Sequence, residues 1–231
     1  MLDNFIFLFQ KADISTEKSQ SLFDIIYGDG GIGAFIGFTV IGILFILAIL
    51  AIYIFVERLL TIKKAASIDE SFMNNIRANV AAGNIAGAKA LCQNTDSPVA
   101  RMVEKGIMRI GKPLRDIDTA IENVGNLEVF KLEKNLSRLA SIAGAAPMLG
   151  FFGTVTGMIL AFYKMSEAGT VGPKELAGGI YVALITTAIG LAIGIFAFIG
   201  YNLLVANVEK VIFKMERTTM EFMDLLQEPA A

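Results

Sequence analysis

The sequence predicts an all-α integral membrane protein with three transmembrane helices, N-terminus outside and C-terminus in the cytoplasm, and long helices extending into the cytoplasm. Three observations carry this reading. Of the 231 residues 55% are hydrophobic and only 18% charged, and mean hydropathy is +0.61. The charges are also segregated: windows 30–56, 139–163 and 176–208 hold no Asp, Glu, Lys or Arg. Each window exceeds the roughly 20 apolar residues that a helix needs to cross a bilayer. Finally, only Lys11, Lys18, Lys164 and Lys174 fall on one side of these windows, while the other 16 of the 20 Lys and Arg fall on the opposite side. Cytoplasmic loops are the ones enriched in Lys and Arg, which sets the orientation.

Composition excludes several functions. The net charge is −2 and no basic face stands out, so no nucleic-acid partner is expected. With no His and one Cys (Cys92), the chain has neither a disulfide framework nor a familiar zinc pattern. No metal or other cofactor is expected, nor is covalent catalysis. Cys92 reads as a small apolar residue in a reducing compartment.

Taken in order, residues 1–29 predict an external or interfacial amphipathic helix, with Leu22, Phe23 and Ile26 on one side. They do not read as a cleavable signal peptide, because Asp3 stands where a basic residue belongs. Gly28-Asp29-Gly30-Gly31-Ile32-Gly33 matches a dinucleotide fingerprint in spacing only. That motif needs a preceding strand, so the stretch reads as a flexible entry to the first span, 30–56. This span is rich in Ile, Leu and Phe, as befits a lipid-facing helix.

Residues 57–138 predict a cytoplasmic helical segment. Ser67-Ile68-Asp69-Glu70 resembles a capped start, and Gly83-Asn84 and Pro98 divide the rest of the segment into short helices. Gly106 to Gly111-Lys112 resembles a phosphate loop, but Pro113 replaces the Ser or Thr that such a loop requires. Pro113 fits better as the opening of a helix. Ile117, Ile121, Val124, Leu132, Leu136, Leu139 and Ala143 then recur at helical spacing. They predict one long helix rising into the second span (139–163), with a kink at Pro147. Asn135-Leu136-Ser137 matches a glycosylation acceptor on the wrong side of the membrane.

A short external loop (164–175) leads to the third span, 176–208. A cytoplasmic helix, 209–231, carries a heptad-like stripe of Val208, Ile212, Met215, Thr219, Phe222 and Leu226. That stripe fits equally a contact within the chain or one between copies.

The candidate functional residues lie in the second and third spans. Gly150, Gly153, Gly157, Ala183, Gly190 and Gly194 are small residues at which helix backbones approach closely in lipid. They are expected to pack subunits of a homo-oligomer. Thr154, Thr156, Thr186 and Thr187 are the polar groups on these faces. Thr154 and Thr187 lie roughly 14 and 17 Å from the outer ends of their helices, at about 1.5 Å per residue. Antiparallel helices therefore bring both hydroxyls to nearly one mid-membrane depth.

Ala146-Pro147-Met148-Leu149-Gly150-Phe151-Phe152-Gly153-Thr154-Val155-Thr156-Gly157, with Ala183-Leu184-Ile185-Thr186-Thr187-Ala188-Ile189-Gly190-Leu191 and Tyr201-Asn202, resembles the ExbB/TolQ branch of the MotA/TolQ/ExbB proton-channel family. Leu91-Cys92 and Ser97-Pro98-Val99-Ala100-Arg101 add to the resemblance. It implies a multi-pass bacterial inner-membrane protein, assembled as a ring of five around the helices of an ExbD/TolR-type single-span partner. That partner would supply an intramembrane Asp, and proton flow would drive a TonB/TolA-like protein acting on the outer membrane. Thr154 and Thr187 match the two threonines that face the family's pore. Many relatives carry a glutamate five residues before the second, where this chain has Val182. The alternatives are a non-conducting scaffold or a stator subunit for secretion or motility. A secondary transporter would need intramembrane polar clusters, and the three windows contain no charge.

Overall fold

The computed structural model describes residues 32–67, 71–168 and 173–227. They form seven helices: α1 (Ile32–Ala66), α2 (Ser71–Ala81), α3 (Ile85–Gln93), α4 (Pro98–Ile107), α5 (Leu114–Glu133), α6 (Leu136–Ala168) and α7 (Pro173–Gln227). Three helices are long and apolar enough to cross a membrane, as the charge-free windows predict. The amphipathic helix expected over 1–29 and most of the glycine-rich entry lie outside the described residues. So do residues 68–70 of the expected Ser67 cap and 169–172 of the external loop.

The chain divides into two compact units, and α1, α6 and α7 each contribute to both. Of the described residues, the first unit comprises 32–43, 149–168 and 173–188. In it α6 and α7 are matched by small residues. A Cβ on Gly153 would stand 2.5 Å from Thr186 Oγ1, and one on Gly157 would stand 2.9 Å from Ala183 Cβ. Nearer the α7 start, a Cβ on Gly179 would reach Ala161 Cβ at 2.9 Å. Real side-chain carbons do not approach so closely, so these glycines are what lets the two helices touch. From α1, Val40 is buried.

The second unit comprises residues 44–148 and 189–231 and has a conventional hydrophobic core. Local chemistry sets its helix boundaries. Gly83 takes φ +69° to end α2, and the Asn84 side chain accepts the Gly87 N–H at 3.0 Å to cap α3. Pro98 opens α4, where a missing N–H costs nothing. Gly111 at φ +91° closes the next turn, and Pro113 leads into α5. The phosphate-loop look of 106–112 is thereby accounted for. Gly106 is a notch inside α4, where a Cβ would meet Phe222 Cε1 at 2.5 Å and Ile121 Cδ1 at 2.8 Å. The heptad stripe of α7 thus packs on this chain's own α4 and α5 at Phe222, with Val208 and Met215 also buried.

One expectation fails. The helix predicted to rise unbroken from Pro113 into the second span is two helices, interrupted at Lys134–Asn135. Asn135 has φ +66°, a left-handed conformation that Asn tolerates better than other non-glycine residues. Apolar periodicity carries across the break, since Leu132, Leu136 and Leu139 are all buried. Pro147, in contrast, lies within α6 without ending it. Its ring fills the space beside Gly194, where a Cβ would stand 2.4 Å from Pro147 Cγ and 3.1 Å from the Ala143 carbonyl oxygen. Lys214 Nζ donates to the Ala66 carbonyl at 3.0 Å, placing a cation on the negative end of α1.

Candidate functional site

In the first unit the four threonines gather where α6 and α7 touch. Thr187 lies on α7, yet its hydroxyl donates across to the Gly150 carbonyl of α6 at 2.9 Å. The Thr154 and Thr187 hydroxyl oxygens are 3.3 Å apart. The equal depth calculated from sequence is thus a direct contact. Thr154 also donates to the Phe151 carbonyl at 2.6 Å. Thr186 is fully buried and donates to Ala183 O at 2.7 Å, with Gly150 O at 3.3 Å. Thr156 donates to Phe152 O at 2.8 Å and lies 3.2 Å from Gly153 O.

Each hydroxyl has one hydrogen and two lone pairs. Thr156 and Thr186 direct their hydrogens at carbonyls of their own helices, the back-bonding expected of Thr in a helix. Thr154 makes such a bond too, to Phe151 O, but it and Thr187 each have a second partner in the other. Their oxygens are close enough for either to donate to the other, so turning a hydroxyl exchanges one acceptor for another. Both residues are only half-buried, so the pair can still meet a group from outside the chain. Thr156 and Thr186, not this pair, line a cavity of about 30 Å³ together with Gly37, Gly157 and Val182 among others. That is about the space of one water.

Five of the six small residues make their contacts inside this chain. The sides of Gly153, Gly157 and Gly194 are occupied by its own side chains, and Ala183 is the group that Gly157 receives. Gly150 supplies the carbonyl shared by Thr186 and Thr187. Gly190, the sixth, is buried.

The second unit holds a cluster that sequence reading missed. Glu128 is 3% exposed, and its carboxylate receives Arg101 Nη2 and Lys131 Nζ, each at 2.7 Å. Arg101 Nη1 reaches Asp96 at 2.9 Å, and Asp96 reaches Lys64 at 2.7 Å. Arg58, 6% exposed, pairs with Glu57 and donates to the Lys131 carbonyl at 3.1 Å. Burial pushes the Glu128 carboxyl up, but hydrogen bonds from Arg101 and Lys131 outweigh it and hold the group below the usual carboxylate range. The Lys64 and Arg101 partners likewise hold Asp96 below its ordinary value. Cys92 is buried, and burial, with Glu104 adding, pushes its thiol up to about 12. In sequence Lys64 and Lys131 marked sidedness, Arg101 belonged to the resemblance and Asp96 and Glu128 stood out in no way, because 64, 96, 101 and 128 are joined by folding rather than by spacing.

The sequence profile of the MotA/TolQ/ExbB proton channel family matches residues 94–217, more than half of the chain. The chain belongs to this family. The MotA/TolQ/ExbB match includes all four threonines and all six small residues. The biopolymer transport protein ExbB of Aquifex aeolicus is 41% identical over 86 residues, 37% of this chain and 58% of that protein. The Tol-Pal system protein TolQ of Haemophilus influenzae is 35% identical over 137 residues, 59% of this chain and 55% of that one. An ExbB from Helicobacter pylori is 42% identical over 71 residues, 31% of this chain and 49% of that one. The chain therefore spans about half the length of these curated relatives. Their names place it in the ExbB/TolQ branch, as the membrane motifs suggested.

Proposed function

We propose that the chain is an inner-membrane subunit of a proton-motive-force-driven motor of the ExbB–ExbD or TolQ–TolR type. In this reading its N-terminus lies outside and its C-terminus in the cytoplasm. Five copies surround the helices of a single-span ExbD/TolR-type partner, which supplies an intramembrane aspartate. Proton flow through the assembly works a TonB- or TolA-like protein that acts on the outer membrane.

The observation that supports this most is the Thr154–Thr187 contact in otherwise apolar, charge-free spans. A charged side chain at mid-bilayer costs at least about 2.5–3.5 kcal/mol and persists where transport needs it. This chain holds none there, so the titrating group must come from elsewhere. A pair of hydroxyls with exchangeable acceptors can donate to a carboxylate or accept from a carboxylic acid. It can therefore follow a partner's aspartate through both protonation states without carrying charge. Because the notches at Gly153, Gly157, Gly179 and Gly194 are filled from within, contacts between copies fall to the exposed apolar flanks, such as Phe151 and Ile159 on α6 and Leu184 and Ile195 on α7.

The test is proton uptake into liposomes under an imposed gradient. The chain alone should be silent, and co-assembly with a single-span partner should open a flux that is lost when the partner's intramembrane Asp becomes Asn. Conduction by this chain without any partner would refute the reading.

A further inference from the structure

A cavity of about 330 Å³ opens in the second unit, lined by Thr61, Lys64, Asp96, Arg101, Glu128 and Lys131 among others. Among the described lining residues three cations stand against two carboxylates, one positive charge in excess. It also holds unused donors. The Lys64 and Lys131 side chains are 72% and 65% exposed, and each ammonium touches one carboxylate oxygen. An ammonium has three N–H groups, so both can take a further acceptor. Arg101 commits its two terminal nitrogens to Asp96 and Glu128. Its Nε is closed off from the cavity by burial and finds no partner among the described residues, so the donors open to a ligand are the two ammoniums.

The position of the cavity narrows the acceptor. Val56 is the last residue of the charge-free window that α1 carries. Thr61 and Lys64 lie five and eight residues beyond it, roughly 8 and 12 Å along a helix. The headgroup layer on each face of a bilayer is about 5–8 Å deep, and a lysine stem can bend its ammonium back toward it. The apolar part of the wall, Ala65 and Leu132, suits the first carbons of an attached chain.

We propose that this cavity binds a phosphodiester anion, the headgroup of an acidic phospholipid in the adjoining leaflet. The site rests on the membrane-spanning fold and not on the motor reading, and it stands whichever face of the membrane the second unit occupies.

The experiment is native mass spectrometry of the full chain in detergent, titrated separately with phosphatidylglycerol, phosphatidylcholine and glycerol 3-phosphate. Phosphatidylglycerol should be retained at least tenfold better than phosphatidylcholine. The K64Q/K131Q double variant should lose about tenfold in that retention, whereas K210Q, outside the cavity lining, should not. D96N decides between binding and mere ion pairing. It frees Lys64 and raises the net charge of the wall by one, so binding should tighten about fivefold, while a purely structural cluster would only lose thermal stability. Asp96 is exposed, and D96N keeps the proposal testable even if the double variant fails to fold. Glycerol 3-phosphate binding with the same dependence on Lys64, Lys131 and Asp96 would keep the anion and assign it to a soluble ester. Equal retention by wild type and K64Q/K131Q, or weaker binding by D96N, would overturn the proposal.

Discussion

The two units of this chain solve the same packing problem by opposite means. In the second, buried Ile, Leu, Val, Met and Phe side chains fill a core of the kind found in soluble proteins, bounded by Glu128 and its cations. In the first, α6 and α7 meet where side chains have been removed, at Gly153 and Gly157, and are joined by hydroxyl-to-carbonyl bonds at Thr186 and Thr187. Hydrocarbon offers no hydrophobic gain for helix pairing, so close backbone approach and interhelical hydrogen bonds must carry it. Helices α1, α6 and α7 contribute to both units. The second unit also takes in 44–56 and 189–208 of the charge-free windows, and there it uses the same device at Gly194, whose Cβ position is filled by Pro147.

The contrast breaks most severely at Gly153. Overpacking a close contact costs typically about 1–3 kcal/mol and sometimes more, and Gly153→Leu should lie at or above the upper end. Gly144→Leu on the same helix should be nearly neutral, because nothing stands within 4 Å of its Cβ position. Thermal unfolding of the two variants in one detergent checks this, and similar losses would remove glycine matching as the organising feature of the first unit.

Next in size is Glu128. A hydrogen bond to a charged group contributes about 1.5–3 kcal/mol, and Glu128→Gln should cost about 2 kcal/mol by the same measurement. The sign of the shift sets the pH dependence. The Glu128 carboxyl titrates lower in the folded chain than its ordinary 4.5, so its stabilising effect is complete above that value. It is lost as pH falls through the lower folded value. Wild type should therefore lose stability more steeply than Glu128→Gln below about pH 4.5. Parallel curves would show that the cluster adds nothing to the second unit.

The smallest effect belongs to Cys92. A thiol that is 3% exposed and pushed up to about 12 offers little thiolate to an alkylating reagent at neutral pH. Native protein should react with iodoacetamide at least a hundredfold more slowly than the denatured chain. Rapid native labelling would mean that α3 opens easily and that the core of the second unit is loose.

The spans were legible because an apolar run of more than 20 residues without a charge matches the thickness of a bilayer. Pro98 and Pro113 gave helix boundaries because proline restricts the backbone by itself, and Gly83 did so because glycine takes a positive φ freely. The break at Lys134–Asn135 was not legible, since the apolar spacing of Leu132, Leu136 and Leu139 continues through it and Asn at positive φ leaves no mark in periodicity. The small residues were expected to pack one copy on another, yet Gly153 makes its close contact within its own chain, with Thr186. The Lys64–Asp96–Arg101–Glu128–Lys131 cluster was invisible for a simpler reason, as its members come from distant parts of the chain. Equal depth for Thr154 and Thr187 could be counted from sequence. The use of Gly150 O by Thr187 could not.

In the proposed motor the Thr154–Thr187 pair acts through its hydroxyls on a partner's titrating group. Gradient-driven proton flux through the co-assembled complex, compared for Thr187→Val and Thr187→Ser at equal assembly, tests it most directly. Val keeps the branched shape and removes the hydroxyl, and Ser keeps the hydroxyl and removes the methyl. A role for the hydroxyl predicts at least a tenfold loss of flux in Thr187→Val and less than a threefold change in Thr187→Ser. Equal flux in the two variants would contradict it.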